Sequence, residues 1–516
     1  MFPVKIKNPI LPGFNPDPNI LKVGDIFYIA VSSFEWLPGV RVYTSKDLIN
    51  WQHETDILTT QVNLLGNPEN ASIWAPQISF SNNQFYCLYT DVKSTHRPFK
   101  DCHNYLITAP DINGPWSDPV YLNSSGFDPS LFHAPNGKKY LLNELWDYRM
   151  TTGNKSCGIV LQEYDEKTQE LIGEVHKIFD GTSLAKTEAS HLYVHDDFYY
   201  LITAEGGTGR DHSVTVARSK NIFGPYEVDP ESLLTARDKP ASPLQCSGHA
   251  SLVEHLGHWY IAYLTTRPLL GKAAILGRET AIQEVVWQDG WLRLADGTNG
   301  PAEITEIFAE KEIIQEKNTD FHDDFSERLK KEWNTLRQMP GAWADLSSRP
   351  GYLRLESGES LQSLFDQHLL AIRQKDFVFS AATNVTFEAQ TFNQMAGLTL
   401  YLNDQNYLFT YLTFDEEKGQ VLRLMQCVEG EFTLFPEIIP LASDSICLKV
   451  NVDGPCGKFY FRETAKENWQ QIGPVFDLLF LAGGFTGNFV GITVIDMDKK
   501  AGCSADFDFF EYHGKD

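Results

Sequence analysis

Four side chains able to hold or release a proton stand at matching places in a sequence repeat. Five aromatic and β-branched runs carry Tyr28, Tyr86, Tyr140, Tyr199 and Tyr260; counting back eleven residues from each, or twelve in the third, whose turn is one longer, reaches Asp17, Ala75, Asp128, Glu188 and His249. Equivalent positions of a radial repeat converge on its axis, so three carboxyls and an imidazole would share one pocket. Carboxyls held close resist simultaneous ionisation, and one keeps its proton near neutral pH beside an ionised neighbour. Hydrolysis of a glycosidic bond needs that division: an acid for the leaving oxygen and a base for water, about 6.5–9.5 Å apart when configuration inverts. Asp17 and Glu188, from the first and fourth units, would lie on different sides of a five-membered ring and suit that separation. Taken singly, Asp17-Pro18 and Asp128-Pro129 read equally as turns and His249 as a core histidine. Their coincidence at one phase points to a site. Phe34, Trp36 and Trp74 are candidates for flat walls against a sugar ring.

The elements that must position these residues are short. IFYIAVSS (26–33), FYCLYTDV (85–92), KYLLNELW (139–146), FYYLITAE (198–205) and WYIAYLTT (259–266) read as strands. A second apolar stretch and a turn rich in Gly, Asn or Asp precede each, so every unit contains a hairpin. SKDLINW (45–51), APDINGPW (109–116) and SKNIFGPY (219–226) give three units an outer turn closed by an aromatic. A period of about 60 residues without helical periodicity predicts a five-bladed β-propeller, with a sandwich as the alternative on pattern alone. GxSxG, HExxH, Walker and dinucleotide fingerprints are absent, and EGGTGR (205–210) reads as a tight turn.

Composition narrows the partners. The 516 residues predict two or three domains, and 42% apolar with 13% aromatic content excludes a mostly disordered chain. A net charge of −25 without any Lys/Arg run argues against nucleic acid and anionic membrane and favours a neutral ligand. No stretch approaches the 18 or so apolar residues of a membrane span, and Met1 to Pro12 lacks the apolar run of a signal peptide, so a cytoplasmic location is expected. The eight cysteines are scattered without a CxxC pair and read as reduced thiols.

Beyond about residue 310 the pattern changes. AEKEIIQEKNTD (309–320) reads as a linker or short helix. Alternating segments follow at 352–357, 382–390, 397–403, 407–414, 420–428, 446–452 and 458–463, separated by Gly/Asn/Asp turns. They predict a β-sandwich, giving a division into a propeller over 1–310 and a sandwich over 321–516.

The chain resembles glycoside hydrolase family 43, and within it the bacterial β-xylosidases that carry an extra C-terminal domain. NPILPGFNPDP (8–18), SSFEWLPGV (32–40), NSSGFDPSLF (123–132), GIVLQEYD (158–165), TAEGGTG (203–209), SGHASLVE (247–254) and LGRETAIQEVVW (276–287) carry the likeness in order along the first domain. The resemblance implies a five-bladed propeller and an inverting mechanism, with Asp17 as general base, Asp128 tuning the acid and orienting substrate, and Glu188 as general acid. It implies that His249 lies near an axial cation or water cluster, so a structural calcium is possible there, through water, and no cofactor is otherwise required. Arg278 would bond sugar hydroxyls. Relatives commonly read Glu-Gly-Pro-His at the acid where this chain has Glu188-Ala189-Ser190-His191, and Cys246-Ser247 is also unusual. The C-terminal domain would be a lectin-like sandwich whose loop, here GGFTGNFVG (483–491), closes the sugar pocket, with Phe485 as the inserted ring and Phe489 the second choice. The implied activity is release of xylose from the non-reducing end of xylooligosaccharides by a homodimer or homotetramer. An α-L-arabinofuranosidase and, from another class, a noncatalytic carbohydrate-binding propeller are the alternatives.

Overall fold

The computed structural model of the protein describes residues 2–317, 319–463, 468–498 and 503–515. Each of the five aromatic runs forms the second strand of a four-stranded antiparallel blade; the fourth blade adds a short strand, Leu234–Thr235. The innermost strands are Asn19–Val23, Ser72–Ser81, Ser130–His133, Glu188–His195 and Gln245–His255. Their neighbours, Ile26–Val31, Gln84–Ser94, Lys139–Trp146, Phe198–Glu205 and His258–Thr266, are mostly buried on both faces. Adjacent blades cover them: Tyr86 and Leu88 of the second blade share a core with Leu131 and Leu141 of the third. Burial on both faces makes these strands read as continuous apolar runs without alternation.

A closed ring of hydrogen bonds ties the blades around the axis. The Asn19 side chain accepts from the Ile78 amide (2.9 Å), and Gln77 accepts from Leu131 (3.2 Å). Ser130 donates to the Ser190 carbonyl, and the Tyr193 hydroxyl accepts from the Leu252 amide (2.8 Å). Ser251 Oγ completes the circuit, donating to the Pro18 carbonyl (3.0 Å) and accepting from the Ile20 amide (2.9 Å). Asn19, Gln77, Ser79, Ser130 and His191 line an axial cavity of ≈ 150 Å³. The last blade meets the first without covalent continuity: Phe2–Lys7 pairs with Ile304–Ala309, and Leu11 bridges Thr280.

The chain divides into two compact units, the first running through Val62, Asn70–Pro268 and Arg278–Glu316, the second comprising Asn63–Glu69, Leu269–Gly277 and Lys317–Asp516. The second is a sandwich of two antiparallel sheets. One sheet orders Leu369–Arg373, Phe489–Asp496, Gln394–Asn403, Asn406–Asp415, Gly419–Val428 and Glu431–Leu434. The other orders Ala344–Asp345, Leu353–Glu356, Ser504–Gly514, Val378–Thr386, Ser445–Asp453, Cys456–Arg462 and Gln470–Asp477. Leu398, Leu400, Val450, Val490, Ile492 and Phe507 fill the space between. The segment expected at 382–390 belongs to a strand that ends at Thr386, because Phe387 leaves the ladder to donate its amide to the Asp444 carbonyl. The described residues of the charged stretch from 309 form no helix, and the 3₁₀ turn Leu479–Leu481 is the helical element among the described residues. No described helix is long and apolar enough to cross a membrane.

Candidate active site

At matching places near the start of the innermost strands a residue adopts left-handed backbone: Asp17 (φ 56°), Ala75 (35°), Asp128 (54°), Ala189 (53°) and His249 (51°), and Ser72 (70°) and Cys246 (52°) do so as well, earlier in their strands. Such a conformation costs a non-glycine residue about 1–3 kcal/mol and persists where the surroundings impose it. This set corrects the repeat phase read from sequence. Leu21–Tyr28, Ser79–Tyr86, Phe132–Tyr140 and Val253–Tyr260 pair the aligning tyrosine with the residue four beyond the left-handed one, and in blade 4 the matching pair is Tyr193–Tyr200. Counting from the adjacent Tyr199 slips the alignment by one. The true equivalent is Ala189, and Glu188 stands immediately before it.

Asp17 is buried and fully engaged. Arg278 grips it with two donors, Nη1 to Oδ1 at 2.6 Å and Nη2 to Oδ2 at 3.2 Å, and the Ser32 hydroxyl donates to Oδ2 at 2.6 Å. Ser32 in turn accepts from the Ala75 amide (2.7 Å), so the second blade supplies backbone where the first and third supply acids. Burial would push the Asp17 pKa up; Arg278, His249 at 3.7 Å and Ser32 outweigh it and hold the carboxyl below its ordinary range. Arg278, expected on sugar hydroxyls, thus has both oxygens of Asp17 as partners.

Asp128 and Glu188 sit in the opposite electrostatic setting. Asp128 Oδ2 accepts from the Ala189 amide at 3.1 Å, directly beside the Glu188 residue. Burial, then the charges of Glu188, Asp17 and Glu144, push the Asp128 pKa well above the carboxylate range. Burial, with the charge of Asp17, lifts Glu188 to about 7 against the pull of Lys100, Arg278 and Lys186. Among the described residues Glu188 has no ion-pair partner. The Asp128–Ala189 hydrogen bond sets Asp128 beside residue 188, and Asp17, Asp128 and Glu188 all stand at the start of innermost strands, in one candidate region.

Aromatic rings form one side of it. Phe34 lies 6.0 Å from Trp74, which meets Phe127 at 5.6 Å, and Phe127 meets Trp146 at 6.2 Å. Lys100 Nζ caps the last three rings at 4.9, 4.4 and 4.3 Å. Trp36 and Phe34 are both fully buried, packed within the core, which removes both as exposed walls and leaves the half-buried Trp74. Sequence pattern alone does not single out Lys100, Phe127, Trp146 or the buried Glu144, although Phe127 lies within GFDPS and Trp146 ends a central strand.

His249 is one of three buried imidazoles. Burial lowers its pKa to about 4, and burial with the charge of His249 lowers His191 and His212 to about 3, so all three are neutral at pH 7. A Cβ on Gly248 would fall 1.6 Å from His212 Cδ2, so only glycine admits this approach. Calcium takes about six to eight oxygen ligands. The side chains around His249 offer imidazole nitrogens, a guanidinium and one carboxylate, that of Asp17 at 3.7 Å, whose oxygens Arg278 and Ser32 already engage, and no described group of three His, Cys, Asp or Glu is placed to hold a metal. This donor set does not fit direct coordination, and no chemical step is routed through a cation. In the second unit, Phe485 is half-buried in the loop after the 3₁₀ turn, while Phe489 is a buried strand residue.

A profile described as glycosyl hydrolases family 43 matches residues 6–292. The chain belongs to that family. As a family 43 glycoside hydrolase it continues with a match to the β-xylosidase C-terminal concanavalin A-like domain over residues 322–513. It is 42% identical to a β-xylosidase of Bacillus subtilis (strain 168) over 99% of this chain and 100% of that protein. It is 40% identical to a xylosidase/arabinosidase 43B of Humicola insolens, over 98% and 97% of the two chains. The crystal structure of a xylan β-1,4-xylosidase from Bacillus halodurans C-125 superposes with a TM-score of 0.95 at 44% identity, covering 98% of this family 43 chain and 100% of the other.

Proposed function

We propose that the protein is an inverting exo-1,4-β-xylosidase that releases xylose from the non-reducing end of xylooligosaccharides. The observation that carries the mechanism is the unequal treatment of two carboxyls: Asp17 is clamped by Arg278 and ionised, while Glu188 has no ion-pair partner among the described residues and keeps its proton up to about pH 7. Asp17 takes a proton from water as the water oxygen bonds to the anomeric carbon. The glycosidic C–O bond breaks on the far side, and Glu188 gives its proton to the leaving oxygen. Asp128 fixes the backbone beside Glu188 through the Ala189 amide. The half-buried ring of Trp74 is the proposed sugar wall. Similarity to proteins named β-xylosidase supports the substrate, and the relative named xylosidase/arabinosidase favours a secondary action on α-L-arabinofuranosides. All eight cysteines are unpaired, which supports a reducing, cytoplasmic setting.

Hydrolysis of an aryl β-xyloside and an aryl α-L-arabinofuranoside by the wild type, Asp17→Ala and Glu188→Ala tests the reading. Turnover by the wild type alone, fastest on the xyloside, is expected. Equal activity in the variants would overturn the mechanism, as would NMR detection of β-xylose as the first product.

A further inference from the structure

We propose that Glu205 is a positioning residue for the proton donor: its buried carboxylate locks the strap Gly181–Glu188 so that Glu188 presents its carboxyl in one place. The proposal rests on Glu188 being the general acid. Glu205 ends the central strand of blade 4, opening the EGGTGR turn, and is completely buried. Its Oε1 accepts from the Thr182 amide and the Thr187 hydroxyl, both at 2.7 Å. Its Oε2 accepts from the Thr182 hydroxyl and from the Thr215 hydroxyl at 2.8 Å. No Lys, Arg or His pairs with it among the described residues. An ionised carboxylate is acceptor-only, so one group holds both ends of a six-residue turn against a neighbouring strand.

The strap needs such a lock. Ala185 (φ 59°) and Lys186 (φ 54°) are both left-handed, a conformation retained only where surroundings dictate it. The Gly206 amide donates to the Ala185 carbonyl at 2.8 Å, and the Thr182 hydroxyl accepts from the Leu184 amide at 3.2 Å. A side chain at Gly181 (φ +83°) would come within 1.9 Å of Thr187 Oγ1 and 2.9 Å of Glu205 Oε1. Glu188 is therefore held from both sides by carboxyls. Glu205 fixes Thr187 before it, and Asp128 fixes Ala189 after it. Burying a carboxylate against three hydroxyls and one amide, without a cation, is a costly way to stabilise a fold, whereas it suits a group that must define one geometry.

Leaving-group dependence separates positioning from mere structure. A 2,4-dinitrophenyl xyloside departs without protonation; xylobiose does not. Glu205→Gln should lower kcat on xylobiose by roughly 10- to 100-fold, the size of a misplacement near 1 Å, with KM retained and the dinitrophenyl substrate little affected. Thr187→Val should reproduce a smaller split, and Thr187→Ser should restore it. Glu188→Gln, measured alongside, should show the same split in larger form. If Glu188→Gln splits the substrates while Glu205→Gln and Thr187→Val lower both equally or neither, Glu205 has no positioning role. If Glu188→Gln shows no split, the acid assignment falls and the proposal with it. Should Glu205→Gln fail to fold by circular dichroism, Thr187→Val decides by the same criterion.

Discussion

Two regions of this chain are built from antiparallel strands and bury opposite chemistry. In the propeller Asp17, Glu205, Arg278, His191, His212 and His249 are buried; between the sandwich sheets lie Leu398, Leu400, Val450, Val490 and Ile492. The sheets of the sandwich meet face to face, so only side chains enter the gap and apolar ones fill it. The blades meet the axis through their innermost strands, whose outward backbone groups require partners. Asn19, Gln77, Ser130, Tyr193 and Ser251 supply those partners, and the same ends carry the ionisable groups. Chemistry gathers where strands present edges, and stability where they present faces.

This contrast breaks if axis variants only destabilise or if sandwich variants alter chemistry. The largest effect is expected for Asp17→Asn, which should lower kcat by about 10²–10⁴-fold through loss of the base while circular dichroism reports a folded chain. Leu400→Ala in the sandwich core should cost about 2–5 kcal/mol in denaturant unfolding and leave kcat per folded molecule unchanged. Gly248→Ala would place a Cβ against the His212 ring, and a loss of about 1–3 kcal/mol together with reduced kcat would show that packing and chemistry are coupled only at the axis. The smallest effects come with pH. Activity should fall as pH rises through about 7, where Glu188 loses its proton, and Asp17 should keep the acidic limb below the ordinary carboxylate range. The folded chain binds the Glu188 proton more tightly than the unfolded chain does, so this group makes stability fall as pH rises from 4.5 to about 7. Glu188→Gln should then raise Tm above pH 7 and leave it unchanged below pH 4.5.

The propeller is legible because burial on both faces writes a continuous aromatic run into each central strand, and Asp17, Asp128 and His249 share its phase. Glu188 is reached through Tyr199 when Tyr200 is the register partner, since two adjacent tyrosines give pattern alone nothing to choose by. Lys100, Glu144 and Glu205 are not legible. Their roles come from neighbours such as Trp146 and Thr187 that only the folded chain brings near. Strand Phe489–Asp496 follows directly on the turn residues Gly483, Gly484, Gly487 and Asn488, and so pattern alone places its first residues in a loop.

The seam between the first and last blades has a consequence for biosynthesis. Asp17 leaves the ribosome 261 residues before the guanidinium that holds it ionised, and Phe2–Lys7 waits longer still for Ile304–Ala309. A nascent or half-assembled ring therefore contains the donor strap but an untuned base. On the proposed mechanism, hydrolytic competence should arrive with the final blade, and the chain should stay latent until its circle is complete.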